Sequence, residues 1–292
     1  MILVFGSINI DVIFPVARLP RPGETVLGGD YRLLPGGKGA NQALAARRAG
    51  ASVMMAGVVG NDAFAGATLE LLRRDGVDLA LVQRVARPTG CAAIMVGEAG
   101  ENLIAVAPGA NAMVVAAAVP DEMLGPDTIV LCQIEVPVFQ TAALLRRAAR
   151  RGARCILNLA PAAPIDADLL ADIHLLVANE TEAAALHDEP ASIARRLRQG
   201  LVVTHGAAGS TVFRAEGARL DIPALPIDAV DTTGAGDTFA GVLAAGLDRG
   251  LTVEIALRRA SAAAGLACLA PGAQTAMPDA AAIDNAVARL AE

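Results

Sequence analysis

Residues 128–159, TIVLCQIEVPVFQTAALLRRAARRGARCILNL, decide the fold class of this chain. The β-branched apolar run over Thr128–Ile134 predicts a buried strand, and the alanine- and leucine-rich stretch over Val138–Arg151 predicts a helix. A second apolar run follows over Arg154–Leu159. Strand, helix and strand at this spacing are typical of a βαβ unit, in which the two strands are parallel.

The same alternation continues over most of the chain. We therefore expect an α/β fold with a mostly parallel central sheet and helices on both faces, in a single domain over residues 1–292. Several predicted strands end in polar residues, which fits ligand binding at the carboxyl ends of the strands. The other predicted strands are Ile2–Phe5, Val53–Val59, His174–Ala178 and Leu201–Thr204, and the other predicted helices are Asn41–Ala49, Ala63–Asp75 and Thr181–His187.

Two segments break this alternation. Val12–Leu34 and Cys91–Pro108 carry strand and turn signals with no helix between them, and the second resembles a hairpin around Glu98–Glu101. These segments predict a small antiparallel sheet outside the main one. It is either a lid over a ligand site or an edge extension that only packs.

Composition excludes some classes of function. The chain has 24 Lys plus Arg against 30 Asp plus Glu, a net charge of −6, and aromatic residues make up 2% of it. It therefore lacks the basic field and the stacking side chains that nucleic-acid binders and membrane-surface proteins use. The four cysteines form no CxxC pair and lie in apolar runs, and no signal peptide or membrane-spanning run is evident. We expect a cytoplasmic protein with reduced cysteines.

The segment PGGKGANQ, residues 35–42, holds the only lysine of the chain, so the other 23 basic residues are arginine. Glycines before an alanine-rich helix predict a tight turn that exposes free N–H groups at a helix N-terminus. A compact ammonium can contact a phosphate or sugar oxygen where a planar guanidinium would not fit. The segment is not a Walker A loop, and the chain has no GxGxxG motif. A simple chain reversal is the alternative interpretation.

A second glycine-rich segment, DTTGAGDTF, spans residues 231–239. Gly234, Ala235 and Gly236 are expected to open a helix and to offer successive N–H groups to an anion that forms in a transition state. Asp237 would lie in the first turn, where it could accept a proton from a hydroxyl. Phosphoryl transfer to an alcohol needs this combination. The plainer interpretation is a carboxylate that complements the helix dipole.

Asn9 and Asp11, in GSINID after the first strand, are two residues apart and share a face of an extended chain. An amide and a carboxylate side by side can bind vicinal hydroxyls of a sugar. A local Asx-turn is an equally good interpretation.

Five further positions carry weaker signals. Asn179 and Glu182 fit a capping box, and could also hold Mg²⁺ through water. Glu135 follows a strand and could face the same cleft or cap the next helix. Thr204 and Gly206 end another strand, either beneath a nucleotide or in a plain turn. We assign no chemistry to the three histidines.

With these residues laid out, the chain resembles the ribokinase-like (PfkB) family of carbohydrate kinases. The resemblance covers nearly the whole length in order, and the Gly-Gly-Lys segment and DTTGAGDTF are the family's signature regions. The matching segments are GSINIDVIFPVARLPRPGETV, PGGKGANQALAARRAGA, GENLIAVAPGAN, QIEVP, NLAPAAP, ANETEA, VVTHGAAG, AVDTTGAGDTFAG and PGAQTAMP.

The resemblance implies a role for each matching residue. Asp237 is implied as the base, with Gly234, Ala235 and Gly236 as the anion hole and Lys38 beside it. Sugar ligands are implied at Asn9, Asp11, Gly36, Gly37, Lys38, Gly39, Asn41 and Glu135. The ATP site is implied at Asn179, Thr204, Gly206, Gly209 and Gly236, with Ser261 near the adenine and Glu182 near Mg²⁺.

Two further properties follow from the resemblance alone. A monovalent cation site, usually for K⁺, is implied at Asp231, Thr233, Ala267, Ala270 and Gly272, although Ala270 stands where the family often has arginine. The small sheet is implied to be both a lid and a homodimer interface, formed by about residues 12–34 and 91–108.

The expected activity is ATP-dependent phosphorylation of a small sugar at a primary hydroxyl, with the 5-hydroxyl of ribose as the first candidate. Deoxyribose, a nucleoside or a keto-deoxy sugar acid are alternative acceptors, and Leu103, Ile104 and Val106 are lid positions that could distinguish them. An arginine pointing into the site would favour an acid. A binding regulator without catalysis is the alternative from another class.

Overall fold

The computed structural model describes residues 1–290, which form two β-sheets and the helices around them. Thirteen strands are found in this part of the chain: β1 (Ile2–Phe5), β2 (Asn9–Val16), β3 (Arg32–Gly36), β4 (Val53–Gly60), β5 (Asp78–Val85), β6 (Gly90–Gly97), β7 (Asn102–Ala107), β8 (Ile129–Cys132), β9 (Arg154–Asn158), β10 (Leu175–Asn179), β11 (Gly200–Thr204), β12 (Ser210–Arg214) and β13 (Arg219–Ile222).

Nine α-helices are found in the same residues: α1 (Lys38–Arg48), α2 (Phe64–Arg74), α3 (Val138–Arg150), α4 (Glu180–Ala184), α5 (Pro190–Arg196), α6 (Ala235–Asp248), α7 (Val253–Ala267), α8 (Ala273–Ala276) and α9 (Ala280–Leu290). None of the helices described is long and apolar enough to cross a membrane.

The main sheet has nine strands in the order β13-β12-β11-β10-β9-β8-β1-β4-β5. All neighbours from β11 to β5 are parallel, and only β12 and β13 pair antiparallel at one edge. Buried side chains alternate between the two faces of the sheet. Ile2 and Val4 belong to the core beneath α1, α6 and α7, whereas Leu3 and Phe5 belong to the core beneath α3. The predicted doubly covered parallel sheet is confirmed.

The second sheet has four strands in the order β3-β2-β6-β7. Its outer pairs, β2 with β3 and β6 with β7, are antiparallel, as the two strand-and-turn segments suggested. Its central pair, β2 with β6, is parallel, because the chain passes through α1, β4, α2 and β5 before it returns. Asn9 pairs with Gly36 at one end of the second sheet, so this sheet includes residues of both the GSINID and the PGGKGANQ segments.

Two helix ends differ from those expected. Helix α1 starts at Lys38, three residues earlier than the alanine-rich pattern suggested, because Gly37 precedes it with a φ of 89°. Helix α4 ends at Ala184 instead of continuing to His187, which has a φ of 52° in the left-handed region. The glycine start places Lys38 at the first position of the helix.

Candidate active site

Asp237 lies at the third position of α6 and is almost completely buried, with 6% of its surface exposed. Gly234, at the N-cap, has a φ of 76°, and Ala273 packs where its side chain would be. The N–H of Ala235 donates to the carbonyl of Thr232 at 3.2 Å. An anion site was expected at the N–H groups of Gly234, Ala235 and Gly236. The Ala235 N–H is already used in this backbone hydrogen bond.

The N–H groups of Gly236 and Asp237 have no acceptor among residues 1–290. They are free at the positive end of a 14-residue helix. This is the part of the DTTGAGDTF segment that can bind an anion.

Two neighbouring residues of α1 hold the Asp237 carboxylate. Asn41 Nδ2 donates to one oxygen and Gln42 Nε2 donates to the other, each at 2.9 Å. Both carboxylate oxygens keep lone pairs that could accept a hydroxyl proton. The close approach of the two helices depends on Gly241 of α6, where any side chain would collide with the Gln42 carbonyl.

Gln42 belongs to a buried chain of amides that the sequence analysis missed. Its Oε1 accepts from Gln133 Nε2 at 2.7 Å, and its Nε2 also donates to Asn158 Oδ1 at 2.9 Å. Gln274 Nε2 donates to Asn41 Oδ1 at 3.0 Å. Gln133 and Asn158 belong to the polar strand ends of CQIE and ILN, so their position was a usable signal. Nothing in the sequence indicated that Gln274 reaches the same place.

Lys38 extends its side chain into the cleft that contains Asp237. It lines a cavity of about 160 Å³ with Asn179, Glu182 and Asp237. The negative charge of Asp237 raises the pKa of the Lys38 ammonium, and Glu135 adds to this, whereas burial acts in the opposite direction. The only lysine of the chain therefore stays charged inside the cleft.

Glu135 contacts the start of α1, and not the start of the helix that follows it. Its Oε2 accepts from Ser7 Oγ at 2.6 Å and from the backbone N–H of Lys38 at 3.0 Å. Glu135 therefore satisfies a free N–H group of α1, and the interpretation in which it caps the helix after Pro137 is wrong. Ser7 was not identified from the sequence.

Asn9 and Asp11 lie on β2 and share one face of the second sheet. Asn9 is buried, and its Oδ1 accepts from Asn111 Nδ2 at 2.7 Å. The Asp11 carboxyl packs so closely on Gly36 that a side chain there would overlap it. Burial raises the pKa of Asp11 to about 7, with further contributions from Glu135 and Asp237 and an opposing one from Lys38.

Gly37 and Gly39 allow the glycine segment to pass close to the strand that carries Asn9. A Cβ on Gly37 would lie 2.7 Å from the Asn9 nitrogen, and one on Gly39 would lie 2.6 Å from the Ser7 nitrogen. This close approach explains the glycines without any ligand. It also holds the strand that carries Asn9 against the start of α1, where Lys38 and Asn41 lie.

A larger cavity of about 390 Å³ adjoins the Asp237 cleft, since Thr204 and Gly236 line both. Gly206, Gly209 and Ser261 line it as well. Most of the other lining residues are apolar, including Leu225, Ile227 and Phe239. An apolar pocket that leads to free N–H groups suits a purine with its phosphates directed at Gly236.

Asn179 and Glu182 form the capping box at the start of α4. Glu182 N–H donates to Asn179 Oδ1, and the Asn179 N–H donates to Glu182 Oε2, each at 2.8 Å. Burial raises the pKa of Glu182, although the bond from Asn179 and the charge of Lys38 oppose the shift. The structural interpretation is thus correct, and the same carboxylate also lines the cleft.

The residues implied for a monovalent cation are only partly brought together. Asp231 Oδ1 accepts from the N–H and hydroxyl of Thr233, and its Oδ2 accepts from the N–H of Gly272 at 2.8 Å. Burial alone would raise the pKa of Asp231, but these bonds outweigh it and the pKa is lowered. Ala267 is buried and Ala270 is exposed, and no hydrogen bond in residues 1–290 links either to Asp231.

Comparisons with known proteins agree with this geometry. The profile of the pfkB family carbohydrate kinases matches residues 1–280. The ribokinase of Bacillus subtilis is 38% identical over 283 residues, which cover 95% of this chain and 96% of that protein.

Two solved structures have the same fold. The crystal structure of ribokinase from Thermotoga maritima superposes with a TM-score of 0.91 at 29% identity, over 98% of this chain and 99% of that one. The structure of Arabidopsis thaliana ribokinase complexed with ribose and ATP superposes with a TM-score of 0.87 at 32% identity, over 98% of each chain. The chain therefore belongs to the pfkB family of carbohydrate kinases.

Proposed function

We propose that this protein transfers a phosphoryl group from ATP to the 5-hydroxyl of ribose. The observation that carries the proposal is the buried Asp237 carboxylate, which lies beside Lys38 and free N–H groups where two cavities meet. A relative that binds ribose and ATP together, at 32% identity, supports the choice of both substrates.

The sugar would bind between the second sheet and the start of α1. Asp11, paired across the sheet with Leu34 and Ala92, faces the same side as they do, and Ala92 is in turn paired with Val106. This row offers one carboxylate among apolar side chains and no cation. Such a surface favours a neutral polyol over a sugar acid, for which an opposed cation would be needed.

The chemistry would follow from three positions. Asp237 accepts the proton of the sugar hydroxyl as the hydroxyl oxygen attacks the terminal phosphorus of ATP, the bond from that phosphorus to ADP breaks and ADP leaves. The amides of Asn41 and Gln42 hold the carboxylate in line. The free N–H groups of Gly236 and Asp237, with the Lys38 ammonium, stabilise charge on the transferring oxygens. The second sheet would close over the sugar and exclude water as a competing acceptor.

Mg²⁺ would be held mainly by the phosphates of ATP and by water. No group of three or more His, Cys, Asp or Glu suited to a metal occurs in residues 1–290. Besides Asp237, Glu182 is the one carboxylate that lines the cavity of about 160 Å³, and it suits a hydrated Mg²⁺ contacted through water. The ion would neutralise phosphate charge there.

K⁺ would bind beside Asp231 and Gly272. The lowered pKa of Asp231 means that the carboxylate is ionised at neutral pH, which favours a cation nearby. Backbone carbonyls of 267–272 would supply the other ligands, as the family resemblance implies.

A second copy of the chain would cover the exposed strand of the second sheet. All six residues of β7 are exposed, and Leu103, Ile104 and Val106 retain 48%, 53% and 53% of their surface. A row of large apolar side chains on a sheet edge is typical of an interface. We propose a homodimer formed through this sheet.

The deciding experiment is Asp237→Asn with ADP release as the readout. We expect turnover with ribose to fall at least 10³-fold, the order expected when a base acting on a bound substrate is lost. Ribose binding, measured by calorimetry, should change less than about threefold. Asp221→Asn, an exposed carboxylate on β13, is the matched control and should keep full activity.

The acceptor itself is tested with a panel of pentoses, hexoses, nucleosides and sugar acids, with and without K⁺. Ribose should give the highest kcat/KM, and K⁺ should raise it. Near-full activity of Asp237→Asn would refute the assigned base. Absence of turnover with every acceptor would favour a binding regulator instead.

A further inference from the structure

A third cavity, of about 400 Å³, lies at the end of the main sheet opposite to the active site. It is lined at the amino ends of β8 to β11, where Ile129, Ile156 and Leu175 form an apolar floor. The C-terminal end of α6 and the N-terminal end of α7 line it too, at Leu247 and Val253. None of these residues takes part in the proposed transfer reaction.

The polar side chains of this cavity are mostly cationic or hydrogen-bond donors. Arg154 and Arg198 both line it, and none of the lining residues is acidic. Arg154 Nη1 donates to the Leu247 carbonyl at 3.0 Å, and no carboxylate among residues 1–290 lies within 4 Å of its guanidinium. Arg198 Nε donates to the Ala171 carbonyl, and its nearest carboxylate, on Asp172, is 3.9 Å away. Each guanidinium is thus positioned by a backbone bond and keeps further N–H groups free.

His174 lines the same cavity as the two arginines. Its Nδ1 accepts from the backbone N–H of Cys155 at 3.0 Å, so the proton of the neutral ring is on Nε2. Burial, together with the charges of Arg198 and Arg154, lowers the pKa of His174 to about 4. The ring is therefore a neutral hydrogen-bond donor at physiological pH, within a positive field.

The start of α7 adds a third source of positive potential. Thr252 caps this 15-residue helix by accepting from the Ile255 N–H, and the N–H groups of Val253 and Glu254 have no acceptor in the described chain. The helix dipole places partial positive charge at this point. Two guanidiniums, a ring N–H and a helix N-terminus thus converge on one apolar-floored cavity.

We propose that this cavity binds a small organic phosphate. The planar guanidinium groups of Arg154 and Arg198 can each donate two hydrogen bonds to the oxygens of a phosphate monoester. The apolar side chains of Ile129, Ile156 and Leu175 would contact the carbon part of the ligand. The volume is in the range of small-molecule sites. Since α6 begins with the Asp237 turn and ends at this cavity, the ligand would contact the far end of the catalytic helix.

The histidines provide a site-resolved test, because the chain has only three of them. His174 lines the cavity, His205 adjoins the nucleotide-site residues Thr204 and Gly206, and His187 is remote from both in the sequence. Ring resonances of isotope-labelled protein at pH 7.5 would be followed during titration with inorganic phosphate and, separately, with ribose 5-phosphate. The His174 ring stays neutral at this pH, so its shifts report binding and not protonation.

We expect saturable His174 shifts with both probes, at least threefold tighter for ribose 5-phosphate because of its carbon body. Chloride at equal ionic strength should leave the resonance unmoved. Shifts at His205 report separate occupancy of the active site. R154Q/R198Q should weaken the His174 response at least tenfold, whereas R74Q/R219Q, which removes two exposed arginines elsewhere, should not.

The proposal would be overturned if the His174 chemical shift did not change with phosphate, or if it changed equally with chloride. An unchanged apparent affinity in R154Q/R198Q would overturn it as well. If that double variant does not fold, R198Q alone serves, because this side chain is 42% exposed and its loss leaves the core intact. It should weaken binding at least threefold, and an unaltered affinity would again contradict the assignment.

Discussion

Gln42→Leu tests whether the amide chain behind Asp237 positions the catalytic carboxylate or only stabilises the fold. Leucine has a similar volume but cannot donate to Asp237 Oδ1 or bond to Gln133 and Asn158. Asn41 would remain as the only side-chain donor described for the carboxylate. The carboxylate would then be free to turn about its Cβ–Cγ bond.

The size of the effect follows from the bonds removed. A hydrogen bond to a charged group contributes about 1.5–3 kcal/mol, so a bond needed for alignment in the transition state corresponds to a roughly 10- to 100-fold loss in kcat. The buried amides of Gln133 and Asn158 would each lose a partner, which costs about 1–3 kcal/mol per group. We therefore expect unfolding free energy to fall by about 2–6 kcal/mol as well.

The assay separates the two effects. ADP release measured at 15 °C, below the onset of unfolding, gives kcat and KM for ribose, and thermal denaturation gives stability. Gln140→Leu is the matched control, since Gln140 bonds only to the backbone N–H of Ala116, away from the cleft. It should lower stability and leave kcat unchanged.

A Gln42→Leu enzyme that loses stability but keeps kcat within threefold of the wild type would refute the positioning role. KM for ribose should change little in either outcome, because Gln42 is fully buried and does not line the cleft.

Three further predictions follow. Because Asp11 has a pKa near 7, KM for ribose should rise as pH falls from 8 to 6, whereas Asp11→Asn should show a high KM that does not vary with pH. The pKa of the same carboxyl is raised from 3.8 on folding, so wild-type stability should fall by up to ~4 kcal/mol as pH rises from 4 to 7. Denaturant titrations of Asp11→Asn should show no such contribution. Gly241→Ala should destabilise the protein by about 1–3 kcal/mol, since its Cβ meets a backbone carbonyl of α1, whereas Gly66→Ala, in an open position on α2, should stabilise it by about 0.5–1 kcal/mol in the same melts. Ile104→Glu should convert the proposed dimer to monomers in light scattering, and Ile255→Glu, at a similarly exposed position on α7, should not; a wild-type monomer would contradict the interface.

The parallel sheet could be predicted because apolar strand runs and alanine-rich helices have different periods. The runs over 128–159 end within a few residues of the observed β8, α3 and β9. The start of α1 was missed because the helical pattern begins in a glycine segment, where composition argues for a turn. Backbone geometry at Gly37, not side-chain pattern, sets this boundary.

The carboxylate of the site could be located from the sequence, but its partners could not. Asp237 is recognisable because a glycine cluster precedes it at a helix start. The contact of Asn41 and Gln42 with Asp237 joins residues about 195 positions apart, and depends on how α1 crosses α6. No local pattern encodes that crossing. The parallel pairing of β2 with β6 was hidden for the same reason, since strand direction within a sheet depends on chain path.

The single lysine in the cleft has a practical consequence. Apart from its α-amino group at Met1, the chain carries no primary amine other than that of Lys38. Acylating reagents, aldehydes that form Schiff bases and amine-coupled supports therefore have two possible attachment points, one at the terminus and one inside the catalytic cleft. Mass spectrometry of the acylated protein would give a direct count of cleft occupancy, because a bound nucleotide would shield one of the two.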